Sequence, residues 1–245
     1  MYNYWWISLL ALVLIIVIIK YISFFFVLWM MNNFYKSFLG NQEYYPTDMK
    51  WCELLRQNYK VIRDEYIEYV NMHGRFKRIK DIDPNQAELD STPIPWKVLF
   101  LRCYNADTEK MKLFPKTCEL LKRVPGCTLA MFSILKPGQY LPPHYGPYKG
   151  VLRYHLSLII PKDYKNCYLE VNGKRHCWEE GGDVIFDDSL EHRVFNNTDE
   201  TRVVLFMDIQ RRFDSVVLNG LNTALLYLFK FNHTINNIVK KTNGV

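Results

Sequence analysis

The stretch Val151-Leu152-Arg153-Tyr154-His155-Leu156-Ser157-Leu158-Ile159-Ile160 alternates with a period of two. Leu152, Tyr154, Leu156, Leu158 and Ile160 fall on one face; Val151, Arg153, His155, Ser157 and Ile159 fall on the other. That period is a strand's, and polar residues gathered on one side of an apolar strand predict the wall of a pocket. Further short runs rich in Val, Ile, Phe and Tyr lie at about 128–135, 166–171, 174–178, 182–187, 190–196 and 202–209. Asn172-Gly173 and Gly181-Gly182 punctuate them as hairpin turns do. The pattern predicts a mainly β fold, a barrel or jelly roll.

Two histidines bracket this region. His144 sits in Pro142-Pro143-His144-Tyr145-Gly146-Pro147, and His192 closes Asp187-Asp188-Ser189-Leu190-Glu191-His192. A lone loop histidine is usually a solvated turn residue. The strands between and after them, however, carry basic and polar side chains. Arg202 heads the apolar run Val203-Val204-Leu205-Phe206, and a cation buried there is costly unless it meets an anion. An Fe(II) site with open positions, plus an arginine for a dicarboxylate cosubstrate, accounts for all three residues together.

Five short blocks then carry a resemblance, over roughly 95 residues from Phe114 to Asp208: Pro-Lys-Thr-Cys-Glu-Leu-Leu, His-Tyr-Gly-Pro, Leu-Arg-Tyr-His-Leu, Trp-Glu-Glu-Gly and Phe-Asp-Asp-Ser-x-Glu-His. In this order and spacing the chain resembles the aspartyl/asparaginyl β-hydroxylase family of Fe(II)/2-oxoglutarate dioxygenases, including its lipid A hydroxylase branch. The resemblance implies a double-stranded β-helix core, of jelly-roll or cupin-like form. It implies that His144 and His192 hold Fe(II) and that Arg202 pairs with the far carboxylate of 2-oxoglutarate. It makes Ser133, Arg153 and His155 further cosubstrate contacts. Where the lipid A branch has an acid two residues after the first histidine, this chain has Gly146, as the protein hydroxylases tolerate. The implied reaction is hydroxylation of an aspartyl or asparaginyl side chain of a protein, or of a lipid acyl chain. The competing reading is a non-catalytic, membrane-anchored jelly-roll binding module with a degenerate metal site. Asp183, Asp187 and Asp188 are read as strand-end turn or hydrogen-bonding acids rather than as a third ligand.

Residues 4–31 are almost wholly apolar, with Lys20 their single charge and tryptophans near both ends. That length and the aromatic flanks predict one uncleaved transmembrane anchor. Lys36 and Lys50 follow it and nothing basic precedes it, which favours a cytosolic catalytic domain over an ER-lumenal one. The sequons at Asn196 and Asn232 weigh lightly the other way. The partners expected are the bilayer and a protein or lipid substrate. The net charge of +6 is spread too thinly for a nucleic-acid stripe. The six cysteines form no Cys-x-x-Cys pair, which excludes zinc-ribbon and thioredoxin readings; scattered reduced core thiols are expected.

The organisation expected is thus a membrane anchor over 1–35, a polar linker over 36–47, a helical support region over 48–125, the dioxygenase core over 126–213 and an amphipathic tail over 214–245. Within these, 47–73 is predicted to be one helix stopped by Gly74. Residues 75–95 are predicted to be a long surface loop at the substrate mouth. Residues 216–231 are predicted either to lie on the membrane or to dock on the domain, and the end from Lys240 to fray.

Overall fold

The alternation over 151–160 is a central strand, covered on both faces. In chain order the elements begin with helix α1 (Phe24–Lys36), strand β1 (Tyr44–Tyr45), helices α2 (Lys50–Gln57) and α3 (Tyr59–Met72), strand β2 (Lys77–Arg78) and the single turn α4 (Ile79–Ile82). Strands β3 (Lys97–Cys103) and β4 (Ala106–Asp107) and helix α5 (Pro115–Lys122) follow. The core strands are β5 (Cys127–Leu135), β6 (Tyr140–His144), β7 (Val151–Ile159), β8 (Cys167–Val171), β9 (Lys174–Cys177), β10 (Asp183–Phe186), β11 (His192–Asn196) and β12 (Arg202–Gln210). Helices α6 (Val216–Leu228) and α7 (His233–Asn243) close the chain. This computed structural model describes residue 10 and residues 24–90 and 93–243.

All strand pairs are antiparallel. An eight-stranded sheet runs β1-β10-β7-β12-β5-β3-β2 with β4 on β3, and a four-stranded sheet runs β6-β11-β8-β9. Strands β5 to β12 therefore divide between two sheets, which is a jelly roll. The large sheet's outer face carries Tyr154, Leu156, Leu158 and Leu205, which pack with Leu55, Ile62 and Tyr66 of α2 and α3. Its inner face carries Val204 and Phe206, which meet Leu169, Val171 and Val194 of the small sheet. Helices cover one face of the large sheet and the small sheet covers the other, so the period of two survives although both faces are buried.

Several expectations are corrected. The helix expected over 47–73 is two helices. Asn58 breaks it, and its side chain donates to the Leu54 carbonyl at 2.8 Å, competing with the helix ladder. Gly74, at φ +58°, ends the second helix as expected. Arg56 pairs with Asp183 at 2.7 Å and ties α2 to β10. Residues 75–95 are not a bare loop. They hold β2, α4 and a 3-10 turn, and Ile79, Ile82 and Leu89 are buried. Residues 24–36, split between anchor and linker in the sequence reading, form one helix whose Leu28 and Tyr35 are buried on the domain. The rest of the predicted anchor, apart from Leu10, lies outside the described residues. Among the described residues no helix is long and apolar enough to cross a membrane. The chain end is helical through Asn243, with Ile235 and Ile238 buried. Asn196 is fully buried and donates to the carbonyls of Leu135, Lys136 and Glu200, so that sequon belongs to the fold. The six cysteines are free thiols.

Candidate active site

His144 ends β6 and His192 begins β11, and the two are directly paired in the small sheet. A direct cross-strand pair puts two side chains on one face. Their ring centroids are 4.0 Å apart. Nδ1 of His144 lies 2.7 Å from the Pro142 carbonyl and Nδ1 of His192 lies 3.0 Å from the Leu190 carbonyl. A carbonyl only accepts, so each Nδ1 carries the proton and each Nε2 keeps a lone pair. Burial pushes the His144 pKa down to about 4 and the His192 pKa well below the usual range. Both rings are therefore neutral at pH 7, the form that binds a metal.

Arg202, at the head of β12, is 1 % exposed. Among the described residues it has no carboxylate partner. Its Nη1 reaches the carbonyl and the hydroxyl of Ser133 only at 3.4 Å, and its Nε has no hydrogen bond. The guanidinium lies 4.6 Å over the Trp178 ring. Burial lowers its pKa to about 10, with Cys167 opposing, which leaves it cationic at neutral pH.

His155 projects from β7 into the same interior. Its ring lies 5.1 Å from Phe206, 5.2 Å from Phe186 and 5.9 Å from Trp178. Both its ring nitrogens, Ser157 Oγ and Trp178 Nε1 are buried without hydrogen-bond partners. Burial first, then the Arg202 and Arg153 charges, hold His155 neutral. A file of rings thus runs from Trp178, under Arg202, through His155 and Phe186 to His192, whose ring is 5.6 Å from that of Phe186. Ser133 is buried beside Arg202 and accepts from Trp96 Nε1 at 3.1 Å.

Arg153 reaches the interior but is engaged by protein carboxylates. It contacts Asp208 at 3.0 Å and Asp188 at 2.7 Å, and lies 4.2 Å over the Phe206 ring. Asp208 and Asp188 took no part in the sequence-based site. Asp187 is the turn acid expected, accepting from the Ser189 amide and hydroxyl. Asp188 is different: it is fully buried, and a Cβ on Gly146 would meet its Oδ2 at 1.8 Å. Burial raises the Asp188 pKa to about 7, with Arg153 opposing. The local signal was the glycine itself, which leaves space for a neighbour's carboxylate. Trp178, given no role in the site by the sequence reading, forms the floor under Arg202. Among the described residues no three His, Cys, Asp or Glu side chains gather to hold a metal.

A cavity of about 470 Å³ opens beside His144, Gly146 and Arg153. Leu89, Phe100, Met131 and Ile238 line it, with Asp83, Glu88 and Asp208 among them. The segment 79–89 therefore does border the mouth, as a packed element rather than a loop.

The donor set suits Fe(II) with 2-oxoglutarate. Two neutral imidazoles leave positions for a chelating keto acid, and the orphaned donors around Arg202 suit its far carboxylate.

The profile of the family described as "Aspartyl/Asparaginyl beta-hydroxylase" matches residues 56–212. An "Ornithine lipid ester-linked acyl 2-hydroxylase" of Rhizobium tropici is 37% identical over 195 residues, covering 79% of this chain and 69% of that protein. The human "Aspartyl/asparaginyl beta-hydroxylase" is 34% identical over 174 residues, covering 67% of this chain but 22% of that protein. A crystal structure of a Pseudomonas putida prolyl-4-hydroxylase overlaps 63% of this chain and 88% of that one, at TM-score 0.42 and 14% identity. The histidine pair lies within a match that spans most of the jelly roll and the helices packed on it, and the chain belongs to the aspartyl/asparaginyl β-hydroxylase family.

Proposed function

We propose that this protein is a membrane-anchored Fe(II)- and 2-oxoglutarate-dependent dioxygenase, hydroxylating a protein aspartyl or asparaginyl side chain or a lipid acyl chain. The observation that carries the reading is Arg202. A buried guanidinium with no carboxylate partner among the described residues, near unpaired polar atoms of His155, Ser157 and Trp178, is costly unless it meets an anion. A bound dicarboxylate would supply the missing acceptor.

His144 and His192 would hold the metal through Nε2, their tautomers fixed by the Pro142 and Leu190 carbonyls. Arg202 would bind the distal carboxylate with help from the Ser133 hydroxyl. His155 and Ser157 would orient the cosubstrate, and Arg153 would share its charge between it and Asp188 and Asp208. Bound Fe(II) with 2-oxoglutarate supplies dioxygen activation, the cosubstrate leaving as succinate and carbon dioxide while a substrate C–H bond becomes C–OH. The rings of Phe186, Phe206 and Trp178 around His155 would keep water from the bound cosubstrate. The anchor in this reading is the apolar run over 4–31, whose end from Phe24 continues as α1 against the domain, with Lys36 and Lys50 on the cytosolic side.

The binding-module reading has one observation in its favour, the absence of a third protein donor among the described residues. Calorimetry separates the two. Arg202→Ala is expected to weaken 2-oxoglutarate binding by about 100-fold, the loss of two charge-assisted hydrogen bonds, while Mn(II) binding stays near wild type. Equal loss of both contradicts the role given to Arg202. No 2-oxoglutarate binding by the folded wild type favours the module.

A further inference from the structure

We propose that α1 and α6 together seat this protein on a lipid bilayer, and that the seam beneath them admits the acyl chain of a membrane lipid to the active-site cavity. This rests on the dioxygenase reading for the chemistry of the site; the route itself stands on other residues.

Both helices bury one stripe in a single cluster. Leu28 and Tyr35 of α1, and Leu218 and Leu226 of α6, pack together with Tyr148 and Phe213. The Tyr35 ring is 4.7 Å from Phe213 and the Tyr148 ring 5.6 Å from Phe229. The Tyr148 hydroxyl donates to Asn222 Oδ1 at 2.6 Å, and Asn32 of α1 bonds the Pro147 carbonyl and the Lys149 amide. Because both stripes face one cluster, the opposite sides of both helices look away from it. Those sides are apolar. Phe26, Trp29 and Phe34 of α1 and Val217, Leu221 and Tyr227 of α6 are all exposed, Trp29 at 62% and Val217 at 70%. So many large apolar side chains on two neighbouring helices mark a covered surface.

The sequence says what covers it. The described part of helix α1 starts at Phe24, inside the apolar run over 4–31 whose single charge is Lys20. The exposed face is thus continuous in the chain with the stretch that calls for hydrocarbon. Trp29 and Tyr227 are the residue types that settle at a membrane–water boundary.

The seam leads inward. A small cavity of about 40 Å³ is lined by Leu28 from α1, by Leu226 and Phe229 at the end of α6, and by Tyr104, Leu129 and Asp208. The last three also line the cavity that contains His144. In this proposal the small cavity is the neck between the two helices and the histidine site. Its volume is about that of one water molecule, so leucine, phenylalanine and tyrosine side chains must part for passage. Its helix-side lining of Leu28, Leu226 and Phe229 suits methylenes, while Asn105, Thr128, Asp188 and Asp208 line the side toward the sheet.

The test uses the full chain in phosphatidylcholine–phosphatidylglycerol vesicles, doped with a phosphatidylcholine bearing a diazirine midway along one acyl chain. After irradiation, adducts are mapped by peptide mass spectrometry. Adducts are expected at Tyr104, Leu129 or Leu226 as well as on the outer faces. Val217→Glu with Leu221→Glu, both exposed, is expected to cut the neck adducts several-fold. Adducts confined to the outer faces overturn the route. Protein–protein adducts at these positions in place of lipid adducts assign the face to a second copy and overturn the docking. Cosubstrate turnover raised by an Asp- or Asn-bearing peptide and not by vesicles assigns a protein substrate and overturns the acyl route. The visible band of the Fe(II)–2-oxoglutarate complex, read anaerobically on the same samples, checks that the variant is folded and separates the two claims. Neck adducts without the band leave the route and sink the dioxygenase reading; the band without neck adducts does the reverse.

Discussion

A Cβ on Gly146 would lie 1.8 Å from Oδ2 and 2.3 Å from Cγ of Asp188. An acidic side chain at 146 has no room while Asp188 keeps its place. The glycine is therefore a packing requirement of this site as well as the loss of a ligand. Gly146→Ala is expected to cost about 1–3 kcal/mol of stability, the usual cost of overpacking. Adding Asp188→Ala should make the double variant more stable than the sum of the two single changes implies. Denaturant melts of the four proteins measure this coupling. Strict additivity would show that the two residues do not compete for one space. His144, His192 and Arg202 were singled out through the five-block resemblance, and the fold pairs the two histidines and buries the arginine. Asp188 was not singled out, because Asp187 and Asp188 are alike locally and only the fold turns the second one toward Gly146.

At the scale of elements, the loops that carry the site are fastened by a buried ionic clamp. Lys149 follows the His144–Gly146 turn, Asp187 precedes His192, and Arg211 lies just beyond β12. Asp187 pairs with Lys149 at 3.2 Å and with Arg211 at 2.6 Å, and all three are at most 2% exposed. Arg211 also donates to the Lys149 carbonyl and the Tyr45 hydroxyl, both at 2.7 Å. Asp187→Ala would strand two buried cations, and removing one partner of such a group costs about 3–5 kcal/mol. Chemical denaturation should show a loss of that size; a loss under about 1 kcal/mol would contradict the clamp. None of this is visible in sequence, since the three residues lie on separate loops. The strands were legible because a period of two is local. The segment 75–95 was not, because its short turns are held by burial of Ile79, Ile82 and Leu89 against distant strands. Helix α6 was half legible: its composition announced an apolar element, but only Tyr148 and Asn222 show which side docks.

For the whole molecule, His155 links the site to stability. Burial holds its folded-state pKa well below the usual value, whereas in the unfolded chain a histidine titrates near 6.5. Below about pH 6.5 the unfolded chain takes up a proton that the folded one refuses. Stability is therefore full above that pH and falls as pH drops, by up to about 1.4 kcal/mol per unit from this residue. In metal-free protein, His155→Gln should lose less stability between pH 7 and pH 5 than wild type, by about 2 kcal/mol. Identical pH dependence would show that His155 titrates in the fold as it does in the unfolded chain.

The jelly roll as a whole was foreseen from strand spacing. The helical support region over 48–125 was foreseen too, but the sheet order was not, because pairing partners lie far apart in the chain. The central claim is that His144 and His192 present two neutral imidazoles to one Fe(II), beside an arginine waiting for a dicarboxylate. The most direct measurement is anaerobic addition of Fe(II) and 2-oxoglutarate to the full chain, for wild type and for His144→Ala. A visible charge-transfer band in wild type that vanishes in the variant is the expected result. A folded wild type with no band, or a band undiminished in His144→Ala, would contradict the site described.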